Sequence, residues 1–499
     1  MSGEYSALLE EHRAREERAE QGGGPARLAR QKRLGRMSAR ERIEGLVDPG
    51  SFVELGKHVL HRHSETSELL AAHRHPGDGV VAGLARIAGR PVALYAHDPT
   101  VLRGALGHAA SQKVCRLLDV ALERRLPVLT LADSDGVRVE EGVDAIDAYG
   151  EILRRTIRLR AEVLQVTLAF GLCVGAAAYA AALGDLVVMV EGQSYLFITG
   201  PKVTRVVTGE DPTLDDLGGP TLHSRKTGQC HAVVSGEAEA LSWARTLLSF
   251  LEPSIPVVDP PERETPELEG LIPVLPRRAY DMARVVRVLV DQGSFFEFSP
   301  GFARNLLTGL ARLGGRRVAI VASQTMVAAG CLDIDASRKG AHFVAWASKM
   351  GIPVLTLVDV PGYLPGTKQE QGGILPHGAT LLEAYGTARV PLLCLIVRKS
   401  FGGASVLSFS SHVRLALPTA RVGPMGLDAT LEVVLGPEPQ SSDEAGRAER
   451  EAKREAWLKA HDHAWASAES GYVDRIVAPS EARGALHQAL VALTDKELP

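Results

Sequence analysis

Short apolar, β-branched runs alternate along this chain with longer stretches that read as helices. Val128-Leu129-Thr130-Leu131 and Val354-Leu355-Thr356-Leu357-Val358 are two such runs, each ending in Asp and a turn. Leu164 to Phe170 and Leu392 to Val397 have the same character. Uninterrupted runs of this length read as parallel strands buried on both faces, and their alternation with helices predicts an α/β fold. One stretch departs in scale: Val166 to Leu183 (VTLAFGLCVGAAAYAAAL) is uncharged and just long enough to match a membrane span. It is read instead as a buried strand, a glycine turn and an alanine-rich packed helix. The corresponding stretch further on, near Arg398-Lys399-Ser400-Phe401-Gly402-Gly403, is charged.

That correspondence is part of a longer one. Gly83-Leu84-Ala85-Arg86-Ile87-Ala88-Gly89-Arg90-Pro91-Val92-Ala93-Leu94 returns 226 positions later as Gly309-Leu310-Ala311-Arg312-Leu313-Gly314-Gly315-Arg316-Arg317-Val318-Ala319-Ile320. The same offset carries Pro127 to Asp133 onto Pro353 to Asp359, and Lys113 onto Lys339. Solenoid repeats run to roughly 20–50 residues, so a period this long marks a duplicated domain.

The organisation follows. Residues 1–30 form a polar, helical and frayed N-terminal segment, interrupted by Gly22-Gly23-Gly24. Ser38-Ala39-Arg40-Glu41 is a capping box that opens a helix stopping at Asp48-Pro49-Gly50. The first α/β domain spans 31–252. Residues 253–276, with seven prolines in 24 positions, read as a linker to a second domain over 277–499. Within it, Pro437 to His461 reads as a mobile loop and a solvated charged helix. A net charge of −4 gives no reason to expect nucleic acid or an anionic membrane as partner. Five scattered cysteines without a CxxC pair fit a reducing cytoplasm, and the charged N-terminus has no secretory apolar region.

Open α/β sheets bind ligands at the carboxyl ends of their strands, which makes candidates of Asp133-Ser134-Asp135-Gly136 and Asp359-Val360-Pro361-Gly362. Two further turns, Gly175-Ala176-Ala177 and Phe401-Gly402-Gly403-Ala404, join a strand to a helix through small residues. Backbone N–H groups exposed there can stabilise an oxyanion. Close helix–strand packing also selects Gly and Ala, but two equivalent turns in two halves favour the functional reading. No GxSxG, Walker A or HExxH motif is present. Ser400 and Ser405 lack a paired His and read as hydrogen-bonding spacers, and His223 and His231 as structural. Oxyanion donors without an evident base suggest a reagent that brings its own.

With these residues in view, the chain resembles the carboxyltransferase (β) subunit of biotin-dependent acyl-CoA carboxylases of the propionyl-CoA or acetyl-CoA type. The resemblance is carried by Ser38-Ala39-Arg40-Glu41-Arg42-Ile43, Gly77-Asp78-Gly79-Val80-Val81, Phe197-Ile198-Thr199-Gly200-Pro201, Val207-Thr208-Gly209-Glu210-Asp211, Ala329 to Ser337, Asp359 to Thr367 and Gly471-Tyr472-Val473-Asp474. It implies two tandem crotonase-like domains, each a ββα spiral, in a homohexamer (a trimer of dimers) with active sites between the first half of one subunit and the second half of another. It implies acyl-CoA on the first half and carboxybiotin on the second, with no metal in this subunit. It also accounts for the missing base: in the family, carboxybiotin releases CO2, the biotin enolate takes the α-proton, and the thioester enolate captures CO2. Two oxyanions then need two holes, implied to be Gly175 and Ala176 for the thioester and Gly403 and Ala404 for the ureido oxygen of biotin. Asp133, Ser134, Asp135, Gly136 and Arg138 lie at the CoA-side loop, and Gly362, Phe401 and Gly402 on the biotin side. No Ala-Met-Lys-Met biotinylation motif occurs, so biotin is expected on a biotin carboxylase/biotin carrier α subunit.

The chain departs from the family pattern at the site itself. Ala176 and Ala177 follow Gly175 where a second glycine is usual, Asp135 replaces a glycine, and Pro376-His377 replaces an Arg-Arg pair. Val406 stands for an aspartate that borders the acyl pocket, which suggests an apolar or longer acyl group. Alternative readings are a decarboxylase of malonyl-type thioesters and a non-catalytic structural subunit.

Overall fold

The computed structural model describes residues 2–61, 68–72, 74–436 and 444–495. The chain divides into two compact units, Met1–Ser249 and Phe250–Pro499. In unit 1 the hairpin β1 (Val80–Ile87) and β2 (Arg90–His97) is followed by α1 (His108–Arg124), β3 (Val128–Ser134), α2 (Val143–Arg160), β4 (Gln165–Val174), α3 (Ala176–Leu183) and β5 (Leu186–Val190). Strands β2 to β5 are parallel neighbours in that order. Val53–Leu55 extends the sheet beside β1, and Ala232–Val234 beside β5. Unit 2 repeats the order: β6 (Leu306–Leu313), β7 (Arg316–Ser323), α4 (Ile334–Lys349), β8 (Val354–Val360), α5 (Ile374–Gly386), β9 (Leu392–Phe401) and β10 (Val413–Ala416).

The repeated hydrophobic runs become the central strands. In β3 and β8 nearly every residue is buried, as expected of strands covered on both faces. The duplication is visible in the registers: Ala93 pairs with Val128 and Ala319 with Val354, both 226 apart. Along β4 and β9 the offset becomes 227, since Thr130 faces Thr167 while Thr356 faces Cys394. The two hairpins turn through Ala88-Gly89 and Gly314-Gly315, all at positive φ. In each, one carboxylate accepts both turn N–H groups: Asp48 in unit 1 and Asp291 in unit 2. Ala88 tolerates the left-handed conformation because Asp48 fixes the turn.

Lys113 and Lys339, matched in the sequence, perform one task on two helices. Lys113 Nζ donates to the carbonyls of Gly56, Gly77 and Val80. Lys339 Nζ donates to those of Ser299, Phe302 and Leu306 at 2.7–2.9 Å. Each lysine fastens a helix to the loop before its hairpin.

The uncharged stretch Val166 to Leu183 is strand β4, a turn at Gly175 and helix α3. Among the described residues no helix is long and apolar enough to cross a membrane. The N-terminal segment is not frayed. Its helix Ser2–Glu20 ends at the glycine triplet, where Gly23 N–H donates to Thr100 Oγ1 at 2.9 Å and a Cβ would lie 2.0 Å from the Thr100 carbonyl. Helix Pro25–Arg33 follows. The proline-rich segment 253–276 packs on unit 2, with Thr265 and Leu268 fully buried and Arg317 N–H donating to the Pro253 carbonyl. The charged stretch near the C-terminus is a helix, Glu444–His461, with no buried residue; positions 437–443 lie outside the described residues.

Candidate active site

Each unit carries a cavity at the carboxyl ends of its central strands. That of unit 1, about 450 Å³, is lined by Pro99, Leu102, Arg103, Asp133, Asp135 and Leu172 from the sheet side and by Arg27, Arg30 and Arg36 from the N-terminal segment. That of unit 2, about 910 Å³, is lined among others by Thr325, Ala329, Pro361, Arg398, Lys399 and Phe401. Four positions of the two linings correspond through the internal repeat: Pro99 with Thr325, Arg103 with Ala329, Asp135 with Pro361 and Leu172 with Lys399.

The same register aligns the glycine turns, and it moves one expectation by a residue. Gly175 (φ 56) corresponds to Gly402 (φ 61), Ala176 to Gly403 and Ala177 to Ala404. Gly175 N–H is already used, donating to the Phe197 carbonyl at 3.0 Å, so Gly175 is not an oxyanion donor. Its service is the positive φ that turns the chain from β4 into α3. Tyr179 N–H makes the first i→i−4 bond of that helix, to the Gly175 carbonyl, so the N–H groups of Ala176 and Ala177 have no partner within it. Ala177 and Ala404 are buried, whereas Ala176 is half-buried and Gly403 exposed. Ala176 and Gly403 are therefore the accessible donors. Gly136 (φ 88) keeps the first one open: a Cβ there would lie 2.4 Å from the Val174 carbonyl and 3.7 Å from Ala176 N. At Gly362 a Cβ would meet nothing within 4 Å, and the Tyr363 ring lies 3.7 Å from where one would stand on Gly403.

The aspartates at the strand ends are anchors. Asp133, buried, accepts from Arg42 Nη1 at 3.2 Å, and Arg42 also holds Glu237 through two bonds of 2.9 Å. Burial pushes Asp133 above the ordinary carboxylate range, against the pull of Arg42. Gly171 is needed beside it, since a Cβ would lie 2.0 Å from Asp133 Oδ1. In unit 2 the residue at the place of Gly171 is Arg398, which itself donates to Asp359 Oδ2 at 2.7 Å, and Tyr280 Oη donates to the same oxygen at 2.9 Å. One buried carboxylate is thus neutralised from a helix in one unit and from the neighbouring strand in the other. Breaking either pair leaves a charge in the core, at a cost on the order of 3–5 kcal/mol.

The remaining expected residues separate into those that face the unit 1 cavity and those that do not. Ser134 is buried; its Oγ donates to the Gly104 carbonyl at 2.7 Å and accepts from Gly136 N–H at 3.0 Å, pinning two turns together. Arg138 is fully buried, ion-paired to Asp78 at 2.7 Å and Glu141 at 2.8 Å, and bonded to the Ala105 carbonyl. It holds the loop from inside and cannot reach a ligand. Val406 is 2% exposed at the start of a short helix, so in unit 2 it packs into the core and does not line the cavity. Asp135 does face the cavity, ion-paired to Arg103. Ser400 and Ser405 bond each other at 3.2 Å, as spacers would. His223 is held by the Leu196 carbonyl and Thr227, and His231 Nδ1 accepts from Val187 N–H. Burial pushes the thiols of Cys115 and Cys230 up to about 11 and 12, which leaves both unreactive.

Sequence reasoning passed over Arg27, Arg30, Arg36, Arg103 and Lys399. Arg103 carried no readable signal, since its left-handed turn at φ 54, like that of its counterpart Ala329 at φ 53, lacks the glycine that would mark such a turn in the sequence. The N-terminal arginines carried none, because only the docking of the glycine triplet on Thr100 brings them to the cavity.

Two parallel-sheet domains related by duplication, each with a strand-to-helix turn of open N–H donors, define the class as an enzyme of two tandem crotonase-like domains. The carboxyl transferase domain model matches residues 30–498. The chain is 40% identical over 503 residues to a propionyl-CoA carboxylase beta chain of Roseobacter denitrificans, covering 98% of this chain and 97% of that one. The mitochondrial propionyl-CoA carboxylase beta chain of Homo sapiens is 39% identical, with 96% and 89% covered. Crystalline transcarboxylase 12S, a hexamer with methylmalonyl-coenzyme A and methylmalonic acid bound, superposes with a TM-score of 0.92 at 36% identity over 100% of this chain and 98% of that one. The chain belongs to the carboxyl transferase family, and it is an acyl-CoA carboxyltransferase of the propionyl-CoA carboxylase type.

Proposed function

We propose that this chain accepts a carboxyl group from biotin carried on a separate α subunit and places it on the α carbon of a short acyl-CoA, propionyl-CoA before others, as part of a homohexamer. Unit 1 takes the acyl-CoA and unit 2 the biotin. The observation that carries this reading is the pair of equivalent cavities, each beside a strand-to-helix turn with an accessible N–H donor: Ala176 in unit 1 and Gly403 in unit 2. Four arginines around the smaller cavity (Arg27, Arg30, Arg36 and Arg103) suit the phosphates of CoA. Ala176 N–H receives the thioester oxygen as negative charge develops on it. A methyl group at Ala176 leaves the N–H intact, so the departure from glycine does not silence the hole. Gly403 N–H offers the same support to the ureido oxygen. When bound, carboxybiotin supplies the CO2 and the base for the α-proton, which fits a site with no side-chain base at either turn. A longer acyl group was suggested by Val406, and its burial withdraws that support; the relatives are named for propionyl-CoA.

The reaction run backwards tests this. The purified chain is incubated with malonyl-, methylmalonyl- and longer 2-carboxyacyl-CoAs, with and without free biotin, and loss of the carboxylate is followed by mass spectrometry. Biotin-dependent loss, fastest with methylmalonyl-CoA, is expected. Loss without biotin would make the chain a decarboxylase. No loss with any thioester, even after addition of an α subunit, would leave a structural role.

A further inference from the structure

The two cavities correspond in position but not in charge at one shared point. Where unit 1 has Gly171 and Leu172 at the end of β4, unit 2 has Arg398 and Lys399 at the end of β9. Arg398 is spent on Asp359, at 2.7 Å. Lys399 is not spent in that way. Its Nζ stands 3.5 Å from Asp359 Oδ1, the oxygen that Arg398 and Tyr280 leave, and 3.4 Å from the Pro276 carbonyl, both longer contacts than the Arg398 bond. Asp359 has its charge balanced by Arg398 and a further bond from Tyr280. Elsewhere on the lining, Arg421 is paired with Asp462 at 2.9 Å and Arg454 with Glu451 at 2.8 Å, and Arg277 and Arg278 line it as exposed side chains. Among the described residues Arg398 and Lys399 thus share the single carboxylate of Asp359, which leaves one positive charge over, with Lys399 only 12% exposed.

Its place on the strand matters as much as its charge. Side chains two apart on a strand point to one face, so Lys399 and Phe401 both turn into the cavity, and the Gly402-Gly403 turn follows directly. A carboxylate and a ureido oxygen that flank one ring nitrogen could then be held together, the first by Lys399 and the second by the N–H of Gly403.

We propose that Lys399 is the receptor for the N-carboxylate of carboxybiotin, so that the unit 2 cavity distinguishes a loaded carrier from a spent one. This rests on the reading that unit 2 is the biotin side. Once the carboxyl group has left, the ligand is neutral and the charge that held it has no counterpart, so the spent carrier is released more readily than the loaded one is. Leu172, at the equivalent place in unit 1, carries no such charge.

Calorimetric titration of the full chain tests this without turnover. The probes are biotinamide bearing an N1-carboxymethyl group, a stable anion, and its neutral methyl ester. The wild type is expected to bind the acid at least tenfold more tightly than the ester, with the ratio falling toward one as salt is raised to about 1 M. Lys399→Met should bind acid and ester alike, with ester affinity unchanged, and Lys399→Arg should keep the preference. An acid-to-ester ratio of one in the wild type, or a ratio preserved in Lys399→Met, overturns the proposal. Failure of the wild type to bind either probe would instead overturn the assignment of biotin to unit 2. Should Lys399→Met not fold, the salt dependence of the wild-type ratio decides.

Discussion

At the scale of single residues, the site depends on which backbone N–H groups are spent and which are left over. Gly175 and Ala176 are adjacent, yet the first donates to Phe197 and the second has no partner within α3, because the strand ladder ends between them. Ala176 is the first residue of α3, and proline is tolerated at that position since its N–H has no helical partner. Ala176→Pro should therefore remove the donor at little structural cost. Carboxyl transfer is expected to fall roughly 10²–10³-fold, the usual loss for one oxyanion donor, while the thermal midpoint moves little and Ala176→Gly stays near wild type. Steady-state rates with propionyl-CoA beside a melting curve check this; a wild-type rate in Ala176→Pro would show that the thioester oxygen lies elsewhere.

At the scale of elements, equal devices hold equal joints. α1 and α4 are tied to the loops before their hairpins by Lys113 and Lys339, each surrounded by three carbonyls. Replacing Lys339 with Met would leave those carbonyls buried and unpaired, at on the order of 1–3 kcal/mol each, so the melting midpoint should drop sharply. The loss should also depend on pH. Burial pulls Lys339 down to about 7 and Lys113 to about 8, against 10.5 for a solvated lysine. Between those values the unfolded chain binds more protons than the folded one, so stability contributed by these groups rises with pH. Lys339→Met lacks its share of that slope. The gap in midpoint between wild type and variant is expected to widen from pH 7 to pH 10; a gap that narrows would mean that Lys339 remains charged throughout.

At the scale of the whole molecule, two units with separate cores carry the two cavities. Arg42 and Arg398 neutralise equivalent buried aspartates, one in each. Arg42→Ala should raise amide hydrogen exchange along β2 to β5 and leave β7 to β10 protected, and Arg398→Ala should do the reverse. Exchange that rises equally in both units for either variant would show that they unfold as one body.

The chain itself determined the duplication, the parallel strands and the turns that end them, since these rest on local periodicity and on residues close in sequence. It also determined the family, through long strings such as Asp359 to Thr367. What it left open were contacts between distant residues. Asp133 and Asp359 read alike, and only folding brings Arg42 to one and Arg398 to the other. Arg138 and Val406, both expected at ligands, are buried because the packing around them closes, which no spacing reveals. The reverse holds for Arg27 and Arg30, which reach the cavity only because Gly23 allows the N-terminal segment to touch Thr100. Sequence period sets which face a residue occupies, whereas tertiary packing decides whether that face meets solvent, a carboxylate or a ligand.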